Sequence, residues 1–228
     1  MKNITPIITI DGPSNSGKSI LSKKLGKLLN WNLLDSGSIY RTLAFIMLNN
    51  QIDLYSINEI IKIATNLKIS FINEDNKLKI FFKNQDITNK IYTEEISNIS
   101  SKIATLPTVR EILLFKQRKF YKKPGLIANG RDMGTIVFPN APIKIFLNAS
   151  IEERAKRRKV HLQKKGYNVN IKYILTEIKK RDNLDYNRII SPLIPASNAF
   201  FLNSTNLTIN MMTKKALLYI QKILKLPK

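Results

Sequence analysis

The apolar residues change their spacing several times along the chain, and each change marks an element. Ile4, Ile7, Ile8 and Ile10 make a short apolar strand that ends at Asp11. Leu21, Leu25, Leu28 and Leu29 then recur at helical spacing, with Lys23, Lys24 and Lys27 elsewhere on the wheel. Trp31 to Leu34 is a second apolar segment running into Asp35-Ser36-Gly37, and a helix is predicted over Ser38 to Met47. Residues 49–101 break this rhythm. They hold a helical stretch with Ile57, Ile60, Ile61 and Ala64, then alternating runs at 68–72 and 77–82 around a turn at 73–76. Neither run is long or apolar enough for a central sheet, which predicts an insert carrying a hairpin.

The rhythm then resumes. Pro107 opens a helix with Val109, Ile112, Leu113, Lys116 and Phe120 on one stripe, and Pro124-Gly125 ends it. Leu126 to Ala128 and Ile143 to Leu147 read as buried strands, and a helix starts at Ile151. Gly166 interrupts that helix, Asn170 can cap the next, and Ile171, Ile174, Leu175 and Ile178 form its apolar stripe. Ser191 to Pro195 is a loop, Ala199 to Leu202 a last strand, and Thr208 to Leu224 a closing amphipathic helix. Strands alternating with helices predict an α/β fold, a parallel sheet flanked by helices. The sequence contains no internal repeat or low-complexity tract.

Between the first strand and the first helix lies Gly12-Pro13-Ser14-Asn15-Ser16-Gly17-Lys18-Ser19, the pattern G-x-x-x-x-G-K-S of a phosphate-binding P-loop. The glycines let the backbone curl so that successive N–H groups face phosphate oxygens, Lys18 adds a point charge, and Ser19 can hold Mg²⁺. A helix N-terminus behind the loop aims its positive end at the same anion.

The formal charge of +22 favours polyanions of every kind. Nine of the 38 basic residues are arginine, and the remaining 29 are lysines scattered over nearly every segment. Scatter describes a solvated lysine surface; a nucleic-acid face should be clustered and interleaved with aromatics. The arginines say more, because a planar guanidinium meets phosphate or carboxylate bidentately and lysine cannot. Cysteine is absent, which removes disulfides, thiolate metal sites and thiol nucleophiles and fits a reducing cytosol. No apolar run approaches the ~18 residues of a membrane span, and the start of the chain reaches the P-loop too soon for a signal peptide. A soluble, cytoplasmic protein is expected.

Two groups of residues extend the candidate site. Arg131 and Asp132 follow a predicted strand, and ligands of open α/β sheets collect at the carboxyl ends of strands. The alternative for that pair is a surface salt bridge. Arg154, Arg157 and Arg158 share one helix face, and the apolar stripe after Asn170 turns charged at Arg181, Asp185 and, if the helix lasts, Arg188. Such a stripe either emerges from the core into a cleft or forms an ordinary ion pair on a solvated face. His161, the only histidine, sits among lysines and has no evident catalytic partner.

Asp11-Gly12-Pro13-Ser14, Leu34 to Arg41 (L-D-S-G-S-I-Y-R), Gly130 to Thr135 (G-R-D-M-G-T) with Val137-Phe138-Pro139, and Glu177 to Asp182 resemble bacterial cytidylate kinases, in register over essentially the whole chain. The resemblance implies transfer of the γ-phosphoryl of ATP to CMP or dCMP, with Mg²⁺, by a P-loop NTPase fold. That fold has a core near 1–38, 102–156 and 168–228, a monophosphate-binding insert near 39–101 and a short lid near 157–167. It assigns ATP to Gly12, Pro13, Ser14, Asn15, Ser16, Gly17, Lys18, Ser19 and Ile20, with the metal on Ser19. Ser36, Arg41, Arg131 and Arg188 would surround the acceptor phosphate, with Tyr40 also on the substrate side. Ser101, Arg110 and Asp132 would meet the cytosine edge, and Arg181 and Asp185 the sugar. Lys18, Arg131, Arg188 and the lid arginines Arg154, Arg157 or Arg158 would stabilise the transferring phosphoryl group. A monomer acting on small molecules, with no dedicated nucleic-acid partner and no membrane, is expected.

The chain departs from that pattern at three points. Asn129 stands where an acidic residue is expected and can anchor magnesium-bound water only weakly; Asn15 replaces a P-loop glycine; Ile20 follows Ser19 in place of a hydroxyl residue. Two rival readings remain: a basic nucleic-acid-binding ATPase, and a nucleoside-monophosphate kinase of other base specificity.

Overall fold

The computed structural model describes residues 5–74 and 77–225. In chain order the first elements are β1 (Ile7–Asp11), α1 (Lys18–Leu29), β2 (Asn32–Asp35) and α2 (Ser36–Asn49). Then come α3 (Ile57–Asn66), β3 (Ile69–Glu74), β4 (Lys77–Phe82), β5 (Gln85–Asp86), α4 (Glu94–Ile103) and α5 (Pro107–Arg118). The last set is β6 (Leu126–Gly130), a π-helical turn at Met133–Val137, β7 (Ile143–Asn148), α6 (Ile151–Gln163), α7 (Ile171–Asn187), β8 (Phe200–Asn203) and α8 (Ile209–Leu224).

Five strands form one sheet in the order β2-β6-β1-β7-β8, and every neighbouring pair is parallel. Such a sheet is covered on both faces, which is why its strands read as apolar runs. Ile8, Ile10, Leu34, Leu126, Ile127, Ile143 and Leu147 are fully buried. Each side chain of that size contributes about 1.5–3 kcal/mol when taken out of water. One face packs on α1 and α8 through Leu21, Leu25, Ala216 and Ile220; the other packs on α2 and α5 through Ile39, Leu43, Val109 and Leu113.

The region 49–101 stays outside this sheet, as its weak alternating runs predict. β3, β4 and β5 form a separate antiparallel sheet around Ile80, Ile87 and Ile91. Asp75 and Asn76 of the predicted turn lie outside the described residues.

Several boundaries differ from the sequence expectation. β2 starts one residue later than Trp31 and runs to Asp35, and α2 starts at Ser36, two residues before the predicted Ser38. β8 is Phe200–Asn203 in place of 199–202. α4 and β5 have no counterpart in the sequence reading; α4 is capped by Thr93, whose hydroxyl accepts from the Ile96 amide. Asn170 caps α7 as expected, its side chain accepting from the Lys172 amide. No helix among the described residues is long and apolar enough to cross a membrane.

Candidate active site

Sheet register decides which loops become neighbours. Asp11 at the end of β1 pairs with Gly130 at the end of β6, and Asp35 at the end of β2 pairs with Asn129. The P-loop, the start of α2 and the Arg131-Asp132 loop therefore leave the sheet from one edge, where ligands of open parallel sheets bind.

The P-loop has the backbone that its chemistry requires. Gly12 has φ 146°, and a β-carbon on it would lie 2.0 Å from the Leu147 carbonyl oxygen, so the turn passes directly over β7. Asn15, where a glycine was expected, sits at φ 59°, a left-handed conformation that asparagine tolerates better than most residues. Gly17 caps α1 at φ 103°. Lys18 is buried, donating to Pro13 O at 2.6 Å and reaching Ser16 Oγ at 3.5 Å. Burial, and then the Arg131 guanidinium, hold its ammonium well below the ordinary lysine range. The Ser14 hydroxyl is buried without a hydrogen-bond partner, while Ser19 and Ile20 are exposed.

Arginines from three elements converge beside this loop. Arg131 donates from Nε to Asp185 at 2.6 Å. Arg188 lies just past the end of α7, with Nε on Ser191 O at 2.5 Å and NH1 3.7 Å from Asp185. Burial and then the Arg41 and Arg131 charges pull Arg181 down to about 9, so cations outnumber anions here. Buried donors on Arg41 (Nε), Arg181 (Nε) and Arg188 (NH2) have no partner among the described residues. Orphaned cationic donors suit an anion.

A second pocket wall forms beside them. Arg110 NH2 donates to Asp132 Oδ2, and its NH1 donates to Ala104 O at 3.1 Å. The Arg110 guanidinium lies 5.8 Å from the Tyr40 ring centre, and burial pushes the Tyr40 phenol up to about 12, so it stays a neutral donor. Ser36 accepts from Gln117 Nε2 at 2.9 Å, and Ser101 donates to Ser97 O at 2.9 Å.

The three arginines of α6, expected to act alike, separate. Arg154 is almost fully buried, donating to Ala149 O at 3.1 Å and Ser14 O at 3.4 Å and pairing with Asp182 at 2.7 Å. Arg157 donates to Ser16 O at 2.9 Å and Ser204 O at 2.6 Å and pairs with Glu153 at 2.9 Å. Both hold the P-loop through its carbonyls. Arg158 instead lies within reach of Glu94 and Arg41: burial and the Arg41 charge lower it while Glu94 opposes them. The difference lies in their partners: Arg154 and Arg157 meet backbone oxygens that the curled P-loop leaves unpaired. His161 is held below the ordinary histidine range by burial and by Lys165, Arg158 and Lys164.

The family model for cytidylate kinase matches residues 8–222. The chain belongs to the cytidylate kinase family. It is 49% identical over 227 residues to cytidylate kinases of Yersinia pestis (strain Pestoides F) and Yersinia pseudotuberculosis serotype O:1b (strain IP 31758), covering 100% of this chain and 99% of each relative. Among solved structures it is similar to a gluconokinase from Sinorhizobium meliloti 1021, with 10% identity, a TM-score of 0.48, and coverage of 97% of this chain and 95% of that one.

Several residues at this cytidylate-kinase-family site were not singled out in the sequence. Tyr92 shares a hydrogen bond with Ser38 at 3.0 Å, and the Arg41 guanidinium lies 5.3 Å from its ring centre. It stands in an insert without a motif, so nothing in the sequence marked it. Gln117 and Ser204 are likewise identified only by their contacts. Asp182, beside Arg181, carried a signal: a carboxylate within the charged continuation of an apolar stripe. Asp11 carried another, its place directly before the first P-loop glycine; it accepts from the Met133 and Gly134 amides at 2.9 and 2.7 Å.

Proposed function

We propose that the protein transfers the γ-phosphoryl group of ATP to CMP or dCMP, forming CDP or dCDP and ADP, as a cytoplasmic monomer in pyrimidine nucleotide metabolism. The observation that carries this reading is the set of unpartnered buried donors on Arg41, Arg181 and Arg188, with Arg131 and Arg181 within electrostatic reach of Lys18. Two bound nucleotides meeting end to end would bring their phosphates into that space.

The P-loop amides and Lys18 would bind the donor phosphates, Lys18 exchanging its contact with Pro13 O for phosphate oxygen. Ser19 is exposed at the first turn of α1, and its hydroxyl suits an Mg²⁺ shared with substrate phosphates. Mg²⁺ held there would add positive charge to those phosphates. Arg41, Arg131 and Arg188 would clamp the acceptor phosphate, and Arg181 and Asp185 would meet the sugar. Because phosphoryl transfer has a loose transition state, positioning and charge on its equatorial oxygens do most of the catalytic work.

Base choice falls to Arg110, Ser101 and Asp132. Cytosine pairs an acceptor edge with an exocyclic amine donor; Arg110 and Ser101 supply donors, and Asp132 accepts from the amine. Uracil would turn a carbonyl toward that carboxylate. Residues 39–101 would act as the acceptor-binding insert and 157–167 as a lid that excludes water. α6 runs unbroken through Arg157, whose guanidinium meets Ser16 O in the P-loop; Arg158 would then be the lid arginine that reaches the phosphates.

The test is an acceptor panel: purified protein, Mg-ATP, and CMP, dCMP, UMP or AMP, following ADP. Fastest turnover with CMP and dCMP is expected. ADP formed only on adding RNA or DNA would favour a nucleic-acid-dependent ATPase, and a preference for UMP or AMP would reassign the base.

A further inference from the structure

Asp11 stands at the last rung of the ladder between β1 and β6, paired with Gly130. Beyond that rung the sheet no longer holds the two strands together. One becomes the P-loop at Gly12, and the other becomes the loop carrying Arg131 and Asp132. The Asp11 side chain continues the connection: Oδ1 accepts from the Met133 amide at 2.9 Å and Oδ2 from the Gly134 amide at 2.7 Å. Main chain and side chain of a single residue thus grip the donor loop and the acceptor loop.

The contact is a built one. Asp11 is 6% exposed, and Gly134 approaches so closely that a β-carbon on it would lie 2.8 Å from Thr9 Oγ1 and 3.3 Å from Asp11 Oδ2. Two amide donors, one on each oxygen, suit an ionised carboxylate; a protonated one would turn an O–H toward an N–H.

We propose that Asp11 is a positioning residue for phosphoryl transfer, its carboxylate fixing the spacing of the P-loop against the acceptor loop through the amides of Met133 and Gly134. The inference rests on the kinase reading above. In-line transfer needs reacting atoms about 3–3.5 Å apart, and a displacement of about 1 Å can cost on the order of 10²-fold in rate. Asp11 touches neither substrate in this role.

The charge at Asp11 is held against opposition. Burial pushes the carboxyl up to about 6, the two amides pull it down, Asp132 raises it and Lys18 lowers it. The other charged groups facing it are Arg131, beyond Asp132, and Lys144 of β7, whose stem lies by Gly134 and whose ammonium donates to Pro139 O. Mild acid therefore releases one amide and loosens the spacing of the loops.

Asp11→Asn keeps the shape and one acceptor but sets an NH₂ against the second amide. With saturating Mg-ATP and CMP its kcat should fall about 30-fold or more, while KM for each substrate stays within about 3-fold. A residue that only supports the fold would lower Tm and leave kcat alone. In the substrate-free wild type, the Met133 and Gly134 amide resonances should titrate together with a midpoint near 6. That titration should be absent from the variant. Amides that stay flat between about pH 5 and 7.5, a kcat within about 3-fold of wild type, or a rate loss carried by KM would each overturn the proposal. If Asp11→Asn does not fold, the wild-type titration decides alone. Wild type without CMP-dependent turnover would sink the kinase reading instead, with the clamp still judged by its amides.

Discussion

Asp185 accepts a hydrogen bond from Arg131 Nε at 2.6 Å, and its other oxygen lies 3.7 Å from Arg188. It thereby ties α7 to the end of β6 and joins two arginines of the candidate site. Burial works to raise its carboxyl, but Arg131, Arg181 and Arg188 outweigh it and hold Asp185 below the usual carboxylate range. A depressed value in the folded state stabilises the fold above the unfolded value near 3.9, and that stability is lost as pH falls through the folded value. Asp185→Asn should therefore lower stability at pH 7, by about 3 kcal/mol for a broken buried pair, and flatten the acid limb below about pH 4. Urea denaturation across that pH range measures both.

Arg181 carries the opposite imbalance, a buried guanidinium with an unpartnered Nε and other arginines nearby. Burial and the Arg41 and Arg131 charges disfavour its charged form, so its charge works against folding. Arg181→Met should gain about 1 kcal/mol, roughly 2–4 °C in a chain of this size, while losing about 10²-fold in kcat/KM for CMP. Thermal scans paired with kinetics check each part.

Asp132 is paired with Arg110, and under the proposed function its carboxylate reads the exocyclic amine. Asp132→Ala should reduce the preference for CMP over UMP by about 10-fold or more, since uracil no longer faces a carboxylate. The same change strands the Arg110 charge and should cost about 3 kcal/mol in stability. Ratios of kcat/KM for the two acceptors, with a denaturation curve, measure both.

Arg157 holds the carbonyls of Ser16 and Ser204 with two arms of one guanidinium, at 2.9 and 2.6 Å. Lysine keeps the charge but cannot span both oxygens. Arg157→Lys should raise KM for ATP by about 3- to 10-fold and leave KM for CMP within about 2-fold. A large loss of kcat at unchanged KM would place Arg157 on the transferring phosphoryl group instead.

The parallel sheet was legible because its strands are buried on both faces and carry apolar runs, as Leu126 to Ala128 does. The P-loop and the Arg131-Asp132 loop were legible because each combines turn residues with charge at the end of such a run. α4 was not: Glu94 to Ile103 is rich in serine and glutamate, and its helix depends on the Thr93 cap and on Ile96 and Ile103 packing into the core. Arg154 and Arg157 were placed on the right helix face but given the wrong neighbours, because periodicity fixes a direction and says nothing about which backbone oxygens wait there. Tyr92 and Gln117 needed three dimensions altogether.

Eight of the nine arginines line or brace the site, and Arg118 grips the carbonyls of Ile136 and Val137 in the turn beside Asp132. Elsewhere the chain writes positive charge as lysine, as if drifting toward that residue wherever a bare cation suffices. The split works as an internal stencil. In other lysine-laden members of this lineage, the arginine positions alone should trace the outline of the catalytic chamber before any coordinates exist.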